Sequence, residues 1–286
     1  MKQITIISGK GGTGKTTITA AFAALAKNQV MADADVDAAD LHLILKPSIQ
    51  KEELFYGGRA PVLDLEKCNE CGLCEEHCRF EAIHDFAIDP ISCEGCGFCA
   101  HVCPQKAITM KENLCGEWFI SQTRFGPLVH ARLGIAEENS GKLVTLVRQQ
   151  ARLIAEKEGR DFIIIDGPPG IGCPVIAAIG GVDLVLVVTE PTLSGIHDLE
   201  RVLGVAHHFN VPAMVCINKM DINRENTEKI KKYCQKNRIS IAGEIPYDPI
   251  VTQAMVAEKS IVEFDDGAIS IEAKKIWENV ERSLRG

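Results

Sequence analysis

The chain reads as an α/β protein built on a mostly parallel, doubly wound sheet, with a small cysteine-rich α+β domain inserted in it. Three observations predict this. A short apolar strand, a glycine-rich turn and an Ala-rich helix follow one another at the start. Buried strands then recur in the second half, at 161–166, 183–189, 212–218 and 239–245, alternating with helix-prone stretches as βαβ units do. Between these regular parts, eight of the twelve cysteines fall into two matching groups.

The opening strand is Ile4-Thr5-Ile6-Ile7, and Thr17–Lys27 is the helix-prone stretch behind it. Between them lies Gly9-Lys10-Gly11-Gly12-Thr13-Gly14-Lys15-Thr16-Thr17. This matches G-x-x-x-x-G-K-[ST], the phosphate-binding P-loop. Glycines let backbone N–H groups wrap an anion without Cβ clashes, and the following helix points its positive end at it. Lys15 is then expected on the β- and γ-phosphates and the Thr16 hydroxyl on Mg²⁺.

Composition narrows the class. With 286 residues, 46% of them apolar, the chain can hold one large α/β domain and a smaller one. A net charge of −8 and a pI near 5.6 argue against nucleic-acid binding, which needs a basic face. No stretch is long and apolar enough to span a membrane, and the first strand starts without a signal peptide, so a cytoplasmic protein is expected. In that setting many cysteines point to metal ligation before disulfides.

Lys10 is an extra lysine that the generic loop does not require. With it, the loop resembles the deviant P-loop of the MinD/ParA/nitrogenase-iron-protein group of ATPases. The resemblance implies ATP at the interface of a face-to-face dimer, formed with itself or with a related ATPase, where Lys10 reaches the partner's nucleotide. The second strand, Gln29–Ala34, runs into four acids, Asp33, Asp35, Asp37 and Asp40. The family's first switch has the form D-x-D, and Asp35 aligns with the acid that orients water or the Mg²⁺ shell; Asp33 and Asp37 are alternatives. Asp40 reads better as the N-cap of a short helix over 40–45. The strand 161–166 ends in Asp166 and is followed by Gly167-Pro168-Pro169-Gly170. By the same resemblance Asp166 holds Mg²⁺ through water and the Gly170 backbone senses the γ-phosphate. Asn218 would contact the base, with Pro246 and Tyr247 packing on it. N-K-x-D at Asn218–Asp221 is also a guanine-reading pattern, and the deviant loop favours ATP.

The cysteine segment is a repeat. Cys68-x-x-Cys71-x-x-Cys74-x-x-x-Cys78 returns as Cys93-x-x-Cys96-x-x-Cys99-x-x-x-Cys103-Pro104, and Ala82-Ile83 returns as Ala107-Ile108. The spacing resembles that of bacterial ferredoxins with two [4Fe–4S] clusters; a zinc module or a disulfide knot is the plainer alternative. The resemblance implies that Cys68, Cys71, Cys74 and Cys103 hold one cluster, and Cys93, Cys96, Cys99 and Cys78 the other. Arg79 stands where proline is usual, which puts the first turn in question.

The expected boundaries are 1–56 and 114–286 for the main domain and 57–113 for the insert, whose core is too thin to stand without its clusters. Cys173 is expected to be a small buried or interface thiol, Cys216 and Cys234 to be packing residues. The helix over 268–284 is expected to dock on the sheet, its mixed charge arguing against a lipid surface. The expected function is an iron–sulfur ATPase that couples ATP binding and hydrolysis to electron transfer. The alternatives are a cofactor-assembly carrier and a positioning switch with structural clusters. The redox or assembly partner is a protein of unknown identity.

Overall fold

Strands that are apolar on both faces are stable only when both faces are covered, and the element order provides that cover. The structure, a computed structural model, describes residues 1–134 and 140–285. Residues 135–139, in the stretch expected to rejoin the main domain, lie outside the described residues.

In chain order, β1 (Lys2–Ser8) leads to α1 (Lys15–Leu25), β2 (Gln29–Asp33) and α2 (Leu41–Leu45). Then come β3 (Ser48–Leu63), α3 (Leu73–Glu76), β4 (Ile83–His84), β5 (Ala87–Ile88), α4 (Phe98–Val102), β6 (Ile108–Thr123) and β7 (Gly126–Leu133). The rest alternates: α5 (Ser140–Glu158), β8 (Phe162–Pro169), α6 (Cys173–Ile179), β9 (Leu184–Thr189), α7 (Leu193–His208), β10 (Ala213–Asn218), α8 (Arg224–Lys236) and β11 (Ser240–Ile245). Three helices close the chain: α9 (Ile250–Val256), α10 (Ile261–Phe264) and α11 (Ala268–Arg285). The order in the large sheet is β11-β10-β9-β1-β8-β2-β7-β6-β3, parallel in every pair from β11 to β7.

The chain divides into two compact units. The first comprises Met1–Glu52, Trp118–Arg132 and Ser140–Gly286. Alternate residues of its strands serve opposite layers. Ile4, Ile6, Ile164, Leu184 and Leu186 share a core with Phe22 of α1 and with Ile276 and Trp277 of α11. On the other side, the Thr5 hydroxyl donates to the Ala178 carbonyl of α6 at 2.8 Å. The α11 stripe at Ile269, Ala273, Ile276, Trp277, Val280 and Leu284 is buried, so this helix is docked on the sheet as its pattern predicts.

The second unit comprises Glu53–Glu117 and, among the described residues, Leu133 and Gly134. It holds α3, α4 and the antiparallel pair β4–β5, with Ile83 opposite Ile88. Its buried apolar residues, among those described, include Phe55, Pro61, Ala82, Ile83, Ala107, Ile108 and Cys115. Such a core buries little apolar area.

Two long strands were not legible beforehand. β3 continues through Gly57, Gly58 and Pro61, which read as strand breakers, and β6 runs to Thr123 through a stretch that carried no strand pattern. Most of β3 is exposed, so it lacks the alternation that marks a half-buried strand. Asp40 does occupy the N-cap of α2, but its side chain makes no capping hydrogen bond.

Trp277 packs its ring 5.0 Å from Phe22 and 5.5 Å from Phe162, measured between centroids. Trp277→Ala is expected to cost about 3–5 kcal/mol through lost burial and an unfilled cavity. Urea unfolding measures this; a loss under about 1 kcal/mol would show that α11 is not integral to the core.

Candidate functional site

In an open parallel sheet, loops at the carboxyl ends of the strands converge. Here they enclose a cavity of about 570 Å³ lined by the P-loop from Gly11 to Thr17, and by Asp35, Asn218, Lys219, Pro246, Tyr247 and the apolar side chains of Leu43, Ile44, Val251 and Met255. Gly14 adopts φ 90°, and a Cβ there would lie 2.3 Å from the Asn218 amide nitrogen, so only glycine fits.

Asp33 and Asp166 are partners in the β2–β8 register, which places two acids side by side at the sheet's carboxyl edge. The ammonium of Lys15 lies 3.1 Å from Asp35 Oδ2 and 3.1 Å from Asp166 Oδ1. Thr19 also donates to Asp166 Oδ1, at 3.0 Å. Burial opposes the Lys15 charge, but Asp166, Asp35 and Asp33 outweigh it and hold the ammonium above its ordinary range. Burial raises the Asp35 carboxyl against the opposing pull of Lys15. Asp33 is fully buried and accepts the backbone N–H groups of Asp35 and Leu41, so it shapes the loop instead of lining the cavity. Burial and the neighbouring Asp166 raise its carboxyl well above the usual range. Asp37 is exposed.

The donor set fits Mg²⁺. Asp166 Oδ2 is buried and has no hydrogen-bond partner among the described residues. Thr16 lines the P-loop cavity, and Asp166, which is not itself part of the lining, is joined to it through Lys15. An orphaned buried carboxylate oxygen beside a phosphate loop is the chemistry a hard cation satisfies.

Other predicted residues are engaged within the protein. The Gly170 N–H donates to the Ser8 carbonyl at 2.8 Å, so reading a γ-phosphate requires that bond to open. Asn218 donates to the Thr13 carbonyl at 2.7 Å, and its Oδ1 accepts the Lys219 N–H at 3.0 Å. Lys219 Nζ reaches the Gly12 carbonyl at 3.1 Å. Asp221 accepts the Tyr247 N–H at 2.7 Å, which ties the N-K-x-D turn to the loop expected over the base. Lys10 lies outside the cavity lining and pairs with Glu190 at 2.6 Å. Sequence reasoning gave Glu190 no role; its place directly after the buried strand β9 was the available signal.

The cysteine repeat is a repeat of backbone as well. Glu70 and Gly95, Gly72 and Gly97, and Glu81 and Lys106 are matching positions, and all six have positive φ. Gly95 is constrained further, since a Cβ there would lie 2.5 Å from the Arg59 carbonyl oxygen. The Ala82 N–H donates to Cys78 Sγ at 3.4 Å, and the Ala107 N–H to Cys103 Sγ at 3.3 Å. Arg79 therefore leaves its turn equivalent to the one that contains Pro104.

Two cavities lie in this unit. One, about 450 Å³, is lined by Cys93, Cys96, Cys99 and Cys78. A narrower one, about 10 Å³, is lined by Cys68, Cys71, Cys74 and Cys103. Each set takes three thiols from one half of the repeat and one from the other. All twelve cysteines are free. Among the described residues, no three His, Cys, Asp or Glu side chains converge as ligands of a single metal ion. Four thiols spread around the larger cavity suit a cubane, whose corners are set apart, better than a single ion that draws its sulfur ligands to about 2.3 Å; the narrower cavity has room for about one water molecule, so its four thiols would have to move apart to take such a group. Cys173 is exposed at the start of α6, which removes the buried alternative and leaves the interface one, because the helix begins at the surface directly after the Gly170 loop. Cys216 and Cys234 are buried packing residues, and Cys115 is buried too.

A further feature lies under the first-switch helix. His130, register partner of Asp33, stacks 4.9 Å from Phe119 and 6.0 Å from His42 of α2, and bonds Ser121 at 3.0 Å.

The family model described as CobQ/CobB/MinD/ParA nucleotide binding domain matches residues 4–261. The chain belongs to this family and is a MinD/ParA-type P-loop ATPase. An uncharacterized protein of Methanocaldococcus jannaschii is 34% identical over 286 residues, covering 99% of this chain and 97% of that protein. The iron-sulfur cluster carrier protein of Pyrococcus abyssi is 24% identical, covering 99% of this chain and 86% of its own. Among solved structures, the septum site-determining protein MinD from Pyrococcus horikoshii, complexed with Mg-ADP, superposes with a TM-score of 0.60 at 19% identity, covering 98% and 96%. No helix among the described residues is long and apolar enough to cross a membrane.

Burial and the nearby His42 push the His130 imidazole down to about 4. An unfolded histidine titrates near 6.5, so the unfolded chain binds the extra proton between those values and stability falls as pH drops through the window. Between pH 7 and pH 5 the loss attributable to His130 is about 2 kcal/mol. Urea midpoints at the two pH values, for wild type and His130→Gln, check this; an equal drop in both would sink the assignment.

Proposed function

We propose that the protein is an iron–sulfur ATPase in which nucleotide binding, in a dimer, gates electron transfer through two [4Fe–4S] clusters held by a ferredoxin-like insert. The observation that carries the reading is the grouping of the eight repeat cysteines into two cavities, with Cys78 and Cys103 exchanged between the halves. The proposed domains are 1–56 with 114–286, and 57–113 for the insert. The thiolates of Cys68, Cys71, Cys74 and Cys103 would hold one cluster, and those of Cys93, Cys96, Cys99 and Cys78 the other. When bound, such clusters supply one-electron storage.

In the nucleotide pocket, the pair of carboxylates around Lys15 occupies the charge that phosphate oxygens would take. Incoming β- and γ-phosphates draw the ammonium toward themselves. Asp35 is then freed to orient a water, and the Gly170 N–H can exchange the Ser8 carbonyl for a phosphate oxygen. Thr16 and, through water, Asp166 would hold Mg²⁺, which neutralises phosphate charge when bound. Pro246 and Tyr247, which line the cavity, would pack on the adenine, and Asn218, bonded to the Thr13 carbonyl, would contact the base.

The second reading, a carrier that hands clusters to other proteins, is supported by the relative named as an iron-sulfur cluster carrier. It requires labile clusters, whereas eight dedicated thiols favour retention. Clusters passing readily to an apo-acceptor would favour the carrier.

Anaerobic EPR-monitored redox titration, with and without Mg-ATP, tests gating. The expected result is a shift of at least one cluster's potential or signal on adding Mg-ATP, absent in Lys15→Ala. Identical titrations in both states would exclude control of potential by nucleotide. Asp166→Asn is expected to lower Mg²⁺-dependent hydrolysis about a hundredfold, a typical cost of losing one preorganised electrostatic group; an unchanged steady-state rate would show that the second switch lies elsewhere.

A further inference from the structure

Glu190 is an acidic side chain outside the Lys15 cluster that reaches the P-loop by two routes, one direct and one through Lys219. Its Oε1 lies 2.6 Å from Lys10 Nζ, and its Oε2 3.1 Å from Lys219 Nζ. Lys219 in turn bonds the Gly12 carbonyl at 3.1 Å. One carboxylate thereby grips the loop at Lys10 directly and at Gly12 through Lys219. The side chain is only 11% exposed. Burial opposes its charge, but the bonds from Lys10 and Lys219 hold the carboxyl below its ordinary value.

The Glu190 backbone is held in place and the lysine is the more mobile member. The Glu190 carbonyl accepts the Thr192 N–H at 2.8 Å. A Cβ at Gly195 would come within 2.2 Å of that same carbonyl, so the start of α7 is packed tightly on it. Lys10, by contrast, is 34% exposed and has alternative partners in Thr192 Oγ1 at 3.4 Å and Ser194 Oγ at 3.2 Å. A lysine stem with four rotatable bonds leaves such a site without moving the backbone.

We propose that Glu190 is a positioning residue that latches Lys10 onto its own P-loop, and that opening this latch limits formation of the ATP-bound dimer. This rests on the reading above that Lys10 acts on a partner's nucleotide. Lys10 cannot serve a neighbouring protomer's phosphates while it is paired at home. Two lysines share one carboxylate, so the local charge is positive and the pair opens more easily than an isolated one. Glu190 acts only through Lys10 and does not touch the reacting atoms.

The test uses the full, anaerobically purified chain with its clusters. Sedimentation velocity in Mg-ATP gives the dimerisation constant, and a fluorescent ATP analogue gives nucleotide affinity. Glu190→Gln is expected to tighten the dimer about tenfold, a difference well within the range for one charged pair, and to keep nucleotide binding. Glu190→Asp retains the charge and is expected to stay near wild type. In a Lys10→Ala background, Glu190→Gln should have no effect on dimerisation. If Glu190→Gln weakens nucleotide binding equally in both backgrounds, the residue only braces the loop through Lys219 and the latch is overturned. An equal tightening with and without Lys10 also overturns it. If wild type forms no dimer in Mg-ATP, or Lys10→Ala dimerises and turns over normally, the underlying reading of Lys10 fails, and that outcome is distinct from a failure of the latch.

Discussion

A buried ammonium between carboxylates is the constraint on which the nucleotide end of this protein depends. Lys15 sits where a charge is expensive unless it is paired and hydrogen-bonded. Asp35 and Asp166 supply the pairing, Asp35 just past the end of β2 and Asp166 within β8. Because β2 and β8 are in parallel register, Asp166 lies beside Asp33, the last residue of β2. Removing Lys15 would leave several acids facing one another, which is the costly half of breaking such a cluster. Sheet register, the P-loop and the first-switch loop are therefore set by one electrostatic requirement.

The same requirement explains why so many groups that could serve a nucleotide are occupied. Backbone carbonyls of Ser8, Gly12 and Thr13 each receive a donor: the Gly170 N–H, the Lys219 ammonium and the Asn218 amide. Buried polar groups left unpaired are costly. A pocket that must present many donors to phosphate has to satisfy them internally when phosphate is absent. Ligand binding would then be an exchange of hydrogen-bond partners.

Much of this was legible in the residue pattern, and what was not shares a cause. The P-loop, Asp166 at the end of a buried strand and the double cysteine spacing are local signals, each carried by neighbours in the chain. Glu190 is different, because its partners Lys10 and Lys219 are brought to it only by the strand order β10-β9-β1. The His130 stack needs β7 beside β2 for the same reason. β3 escaped notice because an exposed strand carries no hydrophobic period. Cys173 was left open between burial and an interface because burial at a helix start depends on what the preceding loop leaves uncovered.

The exchange of Cys78 and Cys103 between the two cavities makes the halves of the repeat interdependent. One half supplies three thiols to its own cavity and one to the other, so a single half completes neither. Because both halves lie in one chain, the fourth thiol of each group is supplied intramolecularly, at an effective concentration that does not depend on protein concentration. Loss of either half would therefore open both groups of thiols, not one.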